Sequence, residues 1–369
     1  MLIDFYSLLY GMIIRFKNYI KFLYIFFVIL SVNIFFFSTD KVKAKSFSVN
    51  NIEISKPFEI NFDKNKVIDD GFIKAFYNLI STITISSDQS AINEINLAQI
   101  KGMIESFSVK EEKFIDEIYY VNLGVSFNKK EVFNYLEKKN IFPSVPNRKK
   151  FLFLPIIIEE NNDNLITFSE NKFFTTWNKT NKRSHLIEYL LPTEDLEDLN
   201  FIKKNYEIIE KYDFKDITRK YNLRDSIISL IFKNDNKIRV LSRITIEDKV
   251  VLKNLSFSDI NLNDEKDIIN LIEKLKITYE DHWKIFNRIN TSIKLPILIK
   301  VDSNDNLKVS NFEKLLSEIN LIYDYFILKF DKNHIHYQII FNGTPNIFLK
   351  LMKDRNFVFS TQNKTWILQ

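Results

Sequence analysis

The longest continuous apolar run after residue 45 is Phe151-Leu152-Phe153-Leu154-Pro155-Ile156-Ile157-Ile158-Glu159-Glu160. Basic residues precede this run, and an Asn-rich segment at 161–164 follows it. A short apolar run that does not alternate with polar residues is typical of a strand covered on both faces. We therefore predict that residues 151–160 form a central strand, around which the remaining layers are built.

Alternating and helical patterns on both sides of this strand predict an α+β fold of several small mixed domains. Before it we expect strands over 46–54 and 118–127, and helices over 72–80, 91–104 and 131–139. The first of these helices should begin near Asp69 and Asp70, and Asn128 should cap the third. After it we expect a hairpin strand at 165–168, a strand over 185–192 and a meander over 227–257. The helices expected there are at 171–179, 216–221 and 264–290, with helical turns from 193.

The C-terminal part has the clearest predicted topology. Patterns over 297–368 give the order β-α-β-β-α-β and then one more strand, which is the ferredoxin-like order. The predicted domains are a signal peptide or anchor (1–44), an N-terminal α+β domain (45–147), a central α/β domain (148–260), a helical connector (261–292) and the C-terminal ferredoxin-like domain (293–369).

The N-terminus has the features of an export signal. Lys17 and Lys21 precede the apolar run 22–37, and Val42-Lys43-Ala44 follows it. This order predicts a signal peptide cleaved after Ala44, or an uncleaved anchor that crosses the membrane through residues 22–37. Either alternative places the body in the periplasm or at the periplasmic face of the inner membrane. Translation could start at Met1 or at Met12.

Composition excludes several classes of function. The chain has no cysteine, so thiolate metal sites, iron–sulfur clusters and cysteine nucleophiles are ruled out. It has 5 Gly and no glycine-rich phosphate loop, and we expect no cofactor. After residue 44 the chain carries 47 basic and 45 acidic residues of mixed distribution, and a nucleic-acid binder would need a clustered basic face. We therefore expect no nucleic-acid partner.

Two groups of residues are candidate metal ligands, although we predict no bound metal. Asp302, Asn304, Asn306 and Glu313 have the spacing of a calcium loop. Leu307 replaces the glycine of such loops, and a turn followed by a Ser310–Glu313 capping box explains the same residues. His334 and His336 share one face of a predicted strand, with Asp331 nearby, but no third metal ligand is apparent.

Other polar and aromatic groups have simpler interpretations. The acid pairs Glu111-Glu112 and Glu159-Glu160 would serve a hydrolase only if two carboxylates converged, and solvated positions are the simpler expectation. Trp177 with Phe173 and Phe174 could form an exposed recognition patch, but packing of a short amphipathic helix into the core is favoured.

Four segments resemble an exported proteobacterial envelope family catalogued only as domain of unknown function two thousand and sixty-six. They are Tyr120-Val121-Asn122-Leu123-Gly124-Val125-Ser126-Phe127, Leu154-Pro155, the segment 168–177, and Leu191-Pro192-Thr193-Glu194-Asp195. The family's proline before the helix tryptophan is replaced by phenylalanine here, and its Gly-Asp after Leu-Pro is absent. The resemblance covers about residues 46–257 and extends to 341–345 and the C-terminal tail. It implies an envelope location and no established activity.

Together these observations predict a non-enzymatic binding or assembly factor of the cell envelope, with an envelope protein as its partner. The binding surface is expected at a sheet edge or on the C-terminal ferredoxin-like domain. Two alternatives stay open: an envelope glycan or peptide hydrolase that uses carboxylates, and a protein that binds a small ligand between its domains.

Overall fold

A computed structural model describes residues 47–92, 94–162, 164–179, 185–235 and 237–369. The predicted anchor at 22–37 and the predicted cleavage site at Ala44 lie outside these residues. In the part of the chain that is described, no helix is long and apolar enough to cross a membrane. About 37% of the residues are helical and 35% are in strands of three sheets, which confirms the predicted α+β class. Residues 46–369 form one compact unit.

The first sheet is antiparallel and has the order β1-β3-β2. Its strands are β1 (Ser48–Pro57), β2 (Ile104–Ile115) and β3 (Ile118–Phe127), and its helices are α1 (Lys64–Ile83), α2 (Leu97–Met103) and α3 (Lys129–Lys138). The predicted strands at 46–54 and 118–127 are confirmed. The predicted start of the first helix near Asp69 and Asp70 is wrong, because Asp63 caps the helix one and a half turns earlier by accepting from the Asn65 amide.

The helix expected over 91–104 is also corrected. A 3-10 turn (Ser86–Ile92) and the short helix α2 occupy this region, and Ile104 already belongs to β2. The 3-10 turn and α2 are separate elements, because Asn96 forms a capping box with Gln99 and α2 begins after it. Asn128 caps α3 as predicted, by accepting from the amides of Lys130 and Glu131.

The central sheet is mixed and has six strands. In chain order they are β4 (Lys149–Glu159), β5 (Asn164–Ile166), β6 (Ile187–Leu190), β7 (Ser226–Asn234), β8 (Lys237–Ile246) and β9 (Lys249–Phe257). β4 is parallel to β7 on one side; on the other it pairs with β6 and β5. The helices here are α4 (Lys172–Thr176), α5 (Leu196–Lys204), α6 (Lys215–Thr218) and α7 (Glu265–Phe286). The predicted central strand and the predicted meander are confirmed.

The side chains of β4 are buried on both faces of the sheet. Phe151, Phe153 and Ile157 lie in the core beneath α7, whereas alternate residues lie in a second core on the opposite face with Phe168 and Phe214. Since complete burial of a large apolar side chain contributes roughly 1.5 to 3 kcal/mol, the run from 151 to 158 stabilises two layers at once. Burial on both faces explains why this run does not alternate with polar residues.

Helix α7 connects the first two sheets through charged side chains that are buried. The Glu280 carboxylate accepts from the amides of Leu186 and Ile187 at 3.0 and 2.8 Å. Lys284, one turn further on, donates to the carbonyl of Ser81 in α1. Each buried charge is thereby satisfied by backbone groups of a neighbouring layer. Burial raises the pKa of Glu280 and lowers the pKa of Lys284.

The C-terminal sheet has the order β11-β12-β10-β14-β13. Its strands are β10 (Leu295–Asp302), β11 (Ile322–Phe330), β12 (His334–Phe341), β13 (Phe359–Ser360) and β14 (Trp366–Leu368), and its helices are α8 (Asn306–Glu318) and α9 (Pro345–Lys353). The first three strands are paired antiparallel, and the elements follow the predicted ferredoxin-like order. The additional strand β14 lies between β10 and β13 and runs parallel to β10.

Helix α3, which packs in the core of the first sheet, contacts the start of β11. Lys129 donates to the carbonyls of Ile319 and Ile322, and Lys130 pairs with Asp324 at 2.6 Å. Burial lowers the pKa of Lys129 to about 8, although Asp324 opposes the shift. The two lysines act together with the Tyr323 hydroxyl, which donates to Asn134 at 2.6 Å, and with the packing of Leu321 and Tyr323 against the first core.

Candidate binding surface

Strand β2 is one of the two edge strands of the first sheet, and it forms a hairpin with the central strand β3. Its two-residue turn consists of Asp116 and Glu117, both with left-handed backbone (φ 50° and 59°), and places Ile115 opposite Ile118. Turns of this type follow the right-handed twist of a hairpin. β2 pairs with β3 on one side, and no strand within the described ranges pairs with its other side.

A β-bulge keeps Phe107, Val109 and Phe114 on one face of β2, which they share with Glu112. Phe107 and Val109 stand opposite Val125 and Leu123, whose side chains are in the core. The register then shifts by one residue at Lys110, so that Phe114 returns to the same face, opposite Tyr119. Without the bulge the residues after 110 would alternate the other way, and Phe114 would point away from the core side.

This apolar face is only partly covered. Helix α1 packs closely on the sheet at Gly71, where an added Cβ would overlap Leu123. Phe72 of the same helix touches the edge of Phe107, with ring centroids 5.0 Å apart. Phe107, Val109 and Phe114 nevertheless remain 50%, 41% and 57% exposed. We call the surface formed by these three residues, the free edge of β2 and the adjoining side of α1 the β2 groove.

An aromatic cleft of about 520 Å³ lies at the turn end of the β2 groove. The ring of Phe58 lies 4.8 Å from those of both Phe62 and Phe114, and Phe62 contacts Tyr119 at 5.0 Å. The Tyr119 hydroxyl is buried beside Glu112 and Lys64, and burial raises the pKa of this phenol. The cleft thus combines apolar walls with one buried hydroxyl.

One ion pair lies at the mouth of the cleft. The Lys64 ammonium donates to the Glu112 carboxylate at 2.7 Å, and both side chains are more than two-fifths exposed. Their hydrogen bond raises the pKa of Lys64 and lowers the pKa of Glu112, so both groups stay charged at neutral pH. Glu112 is the one carboxylate among the residues that line the cleft.

The residues with calcium-loop spacing have partners within the protein. The Asp302 carboxylate accepts from the backbone and side-chain nitrogens of Asn304 at 2.9 Å, and Glu313 accepts from the Tyr337 hydroxyl at 2.7 Å. Asn306 is the first residue of α8. The expected Ser310–Glu313 capping box is wrong, because Asp305 caps this helix by accepting from the Lys308 amide and Ser310 is inside it.

The two strand histidines come together around one carboxylate. Asp331 lies 2.6 Å from His336 Nε2 and 3.3 Å from His334 Nδ1, and Lys300 is 4.0 Å away. The hydrogen bond with His336 is the largest of the effects that hold the pKa of Asp331 far below its usual value. Within the described ranges, no group of three or more His, Asp or Glu residues is placed to hold a metal ion.

The remaining candidates are paired or buried. Glu111 pairs with Lys113, and Glu159 with Lys233, while Glu160 accepts from Asn234. Trp177 and Phe173 are fully buried in the core beneath α7, and Phe174 packs against the second core, so the favoured interpretation of core packing is confirmed. Trp177 stacks on Phe153 with ring centroids 3.8 Å apart.

The sequence patterns did not predict the β2 groove. The charged run Lys110-Glu111-Glu112-Lys113 interrupts the strand pattern, and the bulge changes its phase. The usable signal was the recurrence of Phe107, Val109 and Phe114 beside a hairpin strand that was itself predicted. A scan against family models and a search of the curated proteins found no match to this chain.

Proposed function

We propose that the protein is an exported cell-envelope factor that acts by binding another polypeptide in the β2 groove. The observation that carries this proposal is the row of half-exposed apolar side chains on an edge strand beside an aromatic cleft. Exposed apolar surface of this kind marks interaction sites in soluble domains. The export pattern at residues 17–44 and the resemblance to an exported family support the envelope location.

The physical gain from binding is distributed along the groove. Phe107, Val109 and Phe114 would each contribute about 1 kcal/mol if a partner removed their exposed area from water. The free edge of β2 offers backbone groups that a bound strand would pair. Hydrolysis of a glycan would need two converging carboxylates. The cleft instead holds Glu112 alone, already paired with Lys64.

A second function is favoured by the cleft itself. Its volume falls within the usual range for sites of small ligands, and its walls are largely aromatic. Binding of a small molecule would raise the melting temperature of the protein, with a stabilisation that grows as the logarithm of one plus the ratio of its concentration to Kd. A screen of envelope metabolites by thermal unfolding tests this alternative.

The experiment for polypeptide binding is site-specific photocrosslinking in cells of the native host. A photoreactive amino acid replaces Val109 in the groove of the full chain, and in a control strain it replaces Leu196, which is apolar and 78% exposed. We expect one discrete crosslinked product at Val109 that the Leu196 control lacks. Equal background from both positions would refute binding in the groove.

A further inference from the structure

We propose that the occupant of the β2 groove is the β2 strand of a second copy of this chain, paired antiparallel with Lys110 opposite the partner's Glu111. This inference rests on the proposed function, because it names the polypeptide that the groove binds. The two copies would be related by a two-fold axis perpendicular to the sheet. One continuous six-stranded sheet would result, with both α1 helices on the same face.

Charge determines this register. When Lys110 stands opposite the partner's Glu111, the same pair forms twice, once on each side of the axis. A shift of one residue in either direction places Lys110 opposite Lys110, or Glu111 opposite Glu111. Like charges directly opposite each other destabilise a strand pair, so these neighbouring registers are disfavoured.

The apolar residues agree with the register that the charges select. Phe107 stands opposite the partner's Phe114, and Val109 stands opposite the partner's Glu112. These four positions lie on one face of β2 only because the bulge at Lys110 shifts the register there. A continuous sheet requires that paired residues share a face, and this pairing satisfies the requirement on both sides of the axis.

The second copy also explains why the groove is open in the monomer. Helix α1 covers the inner strands of a three-stranded sheet, and the exposed face of β2 lies at its margin. In the paired form, the apolar faces of both β2 strands meet at the centre between two α1 helices. A lipid chain or an amphipathic helix could cover the apolar side chains but would leave the edge backbone groups of β2 without strand partners.

Cysteine crosslinking tests the register directly, because the chain has no native cysteine. In the proposed pairing, Ser108 stands opposite the partner's Lys113, whereas two Ser108 residues are five positions apart along the strands, roughly 17 Å. Full-length Ser108→Cys and Lys113→Cys proteins are purified in mild detergent and oxidised separately and as a mixture. We expect about tenfold more disulfide dimer in the mixture, because a disulfide needs Cα atoms within about 7 Å.

Reversal of charge provides an independent test that does not depend on disulfide geometry. Lys110→Glu alone and Glu111→Lys alone each place like charges opposite each other and should reduce the dimer fraction measured by native mass spectrometry. The double variant restores opposite charges and should recover the dimer. If the double variant dimerises no better than the single variants, or if all cysteine samples crosslink equally, the proposed pairing is wrong.

These results separate the inference from the function on which it rests. A crosslink from Val109 to a different protein, together with no Ser108–Lys113 disulfide, would overturn self-pairing and leave polypeptide binding in place. A crosslink from Val109 to a second copy would support both. No product at Val109 and no disulfide dimer would overturn both.

Discussion

The Lys64 ammonium and the Glu112 carboxylate lie 2.7 Å apart and join the first turn of α1 to the edge strand β2. This pair lies at the mouth of the cleft, at the turn end of the β2 groove. Both groups are solvent-exposed, so the pair positions the cleft more than it stabilises the fold. The main consequences of the groove should therefore appear in binding.

Phe114→Ser should separate binding from stability. We expect a loss of about 1 kcal/mol in the free energy of unfolding, since the ring is 57% exposed and loses its contact with Phe58. The crosslinked product at Val109 should disappear. Leu196→Ser serves as the matched control and should change neither quantity. Persistence of the Val109 product in the Phe114→Ser protein would contradict a role of the groove.

Gly71→Ala should destabilise the first sheet. The added methyl group meets the fully buried Leu123, and overpacking of this kind costs roughly 1 to 3 kcal/mol, partly offset by the higher helix propensity of alanine. Gly102→Ala is the control, because no atom lies within 4 Å of a Cβ at that position. It should stabilise α2 slightly, by about 0.5 to 1 kcal/mol. Chemical denaturation of both variants measures the contrast.

Lys129 should give the protein a characteristic dependence on alkaline pH. Its pKa is about 8 when folded and 10.5 when exposed, so between these values the unfolded chain binds more protons and stability rises with pH. The cost of burying the charge is complete below pH 8 and is relieved as pH rises towards 10.5. The difference in unfolding free energy between wild type and Lys129→Met should increase by about 2 to 3 kcal/mol over this window. A difference that is flat with pH would show that the ammonium is not buried.

Glu280→Ala should be among the most damaging single substitutions in α7. It leaves the amides of Leu186 and Ile187 buried without their acceptor, at a cost of roughly 2 to 4 kcal/mol. Glu188→Ala is the control, since that side chain is 71% exposed and pairs with Lys150 at the surface. Its effect should stay within about 0.5 kcal/mol. Thermal unfolding of the two variants decides the point.

The elements that the sequence predicted well are those with one dominant apolar pattern. The central strand at 151–160 is continuous because both of its faces are buried, and β3 is defined by its alternation. Helix starts were harder to locate, because several Asp, Asn and Ser residues compete as caps. Asp63 and Asp305 form the caps, whereas Asp69 and Ser310 lie inside the helices.

The candidate site was largely invisible in the sequence because it depends on tertiary structure. The groove depends on a bulge at Lys110 that changes the phase of β2, and on the partial exposure of Phe107, Val109 and Phe114 beside α1. Likewise, the position of β14 between β10 and β13 depends on a pairing choice that the element order leaves open. The sequence shows Asp331 close to His334 and His336, but their hydrogen bonds depend on how the turn folds back onto β12.

The parallel pairing of β4 with β7 affects how fast the protein can fold. During synthesis the chain is complete through β4 long before residues 226–234 emerge, and parallel strands cannot pair through a tight turn. The apolar strand β4 therefore lacks its main neighbour, β7, while more than sixty residues are added to the chain. Pairings between such distant residues slow folding and leave apolar segments open to aggregation. We expect refolding to be slow and to depend on a holding chaperone, with β4 as the segment that needs protection.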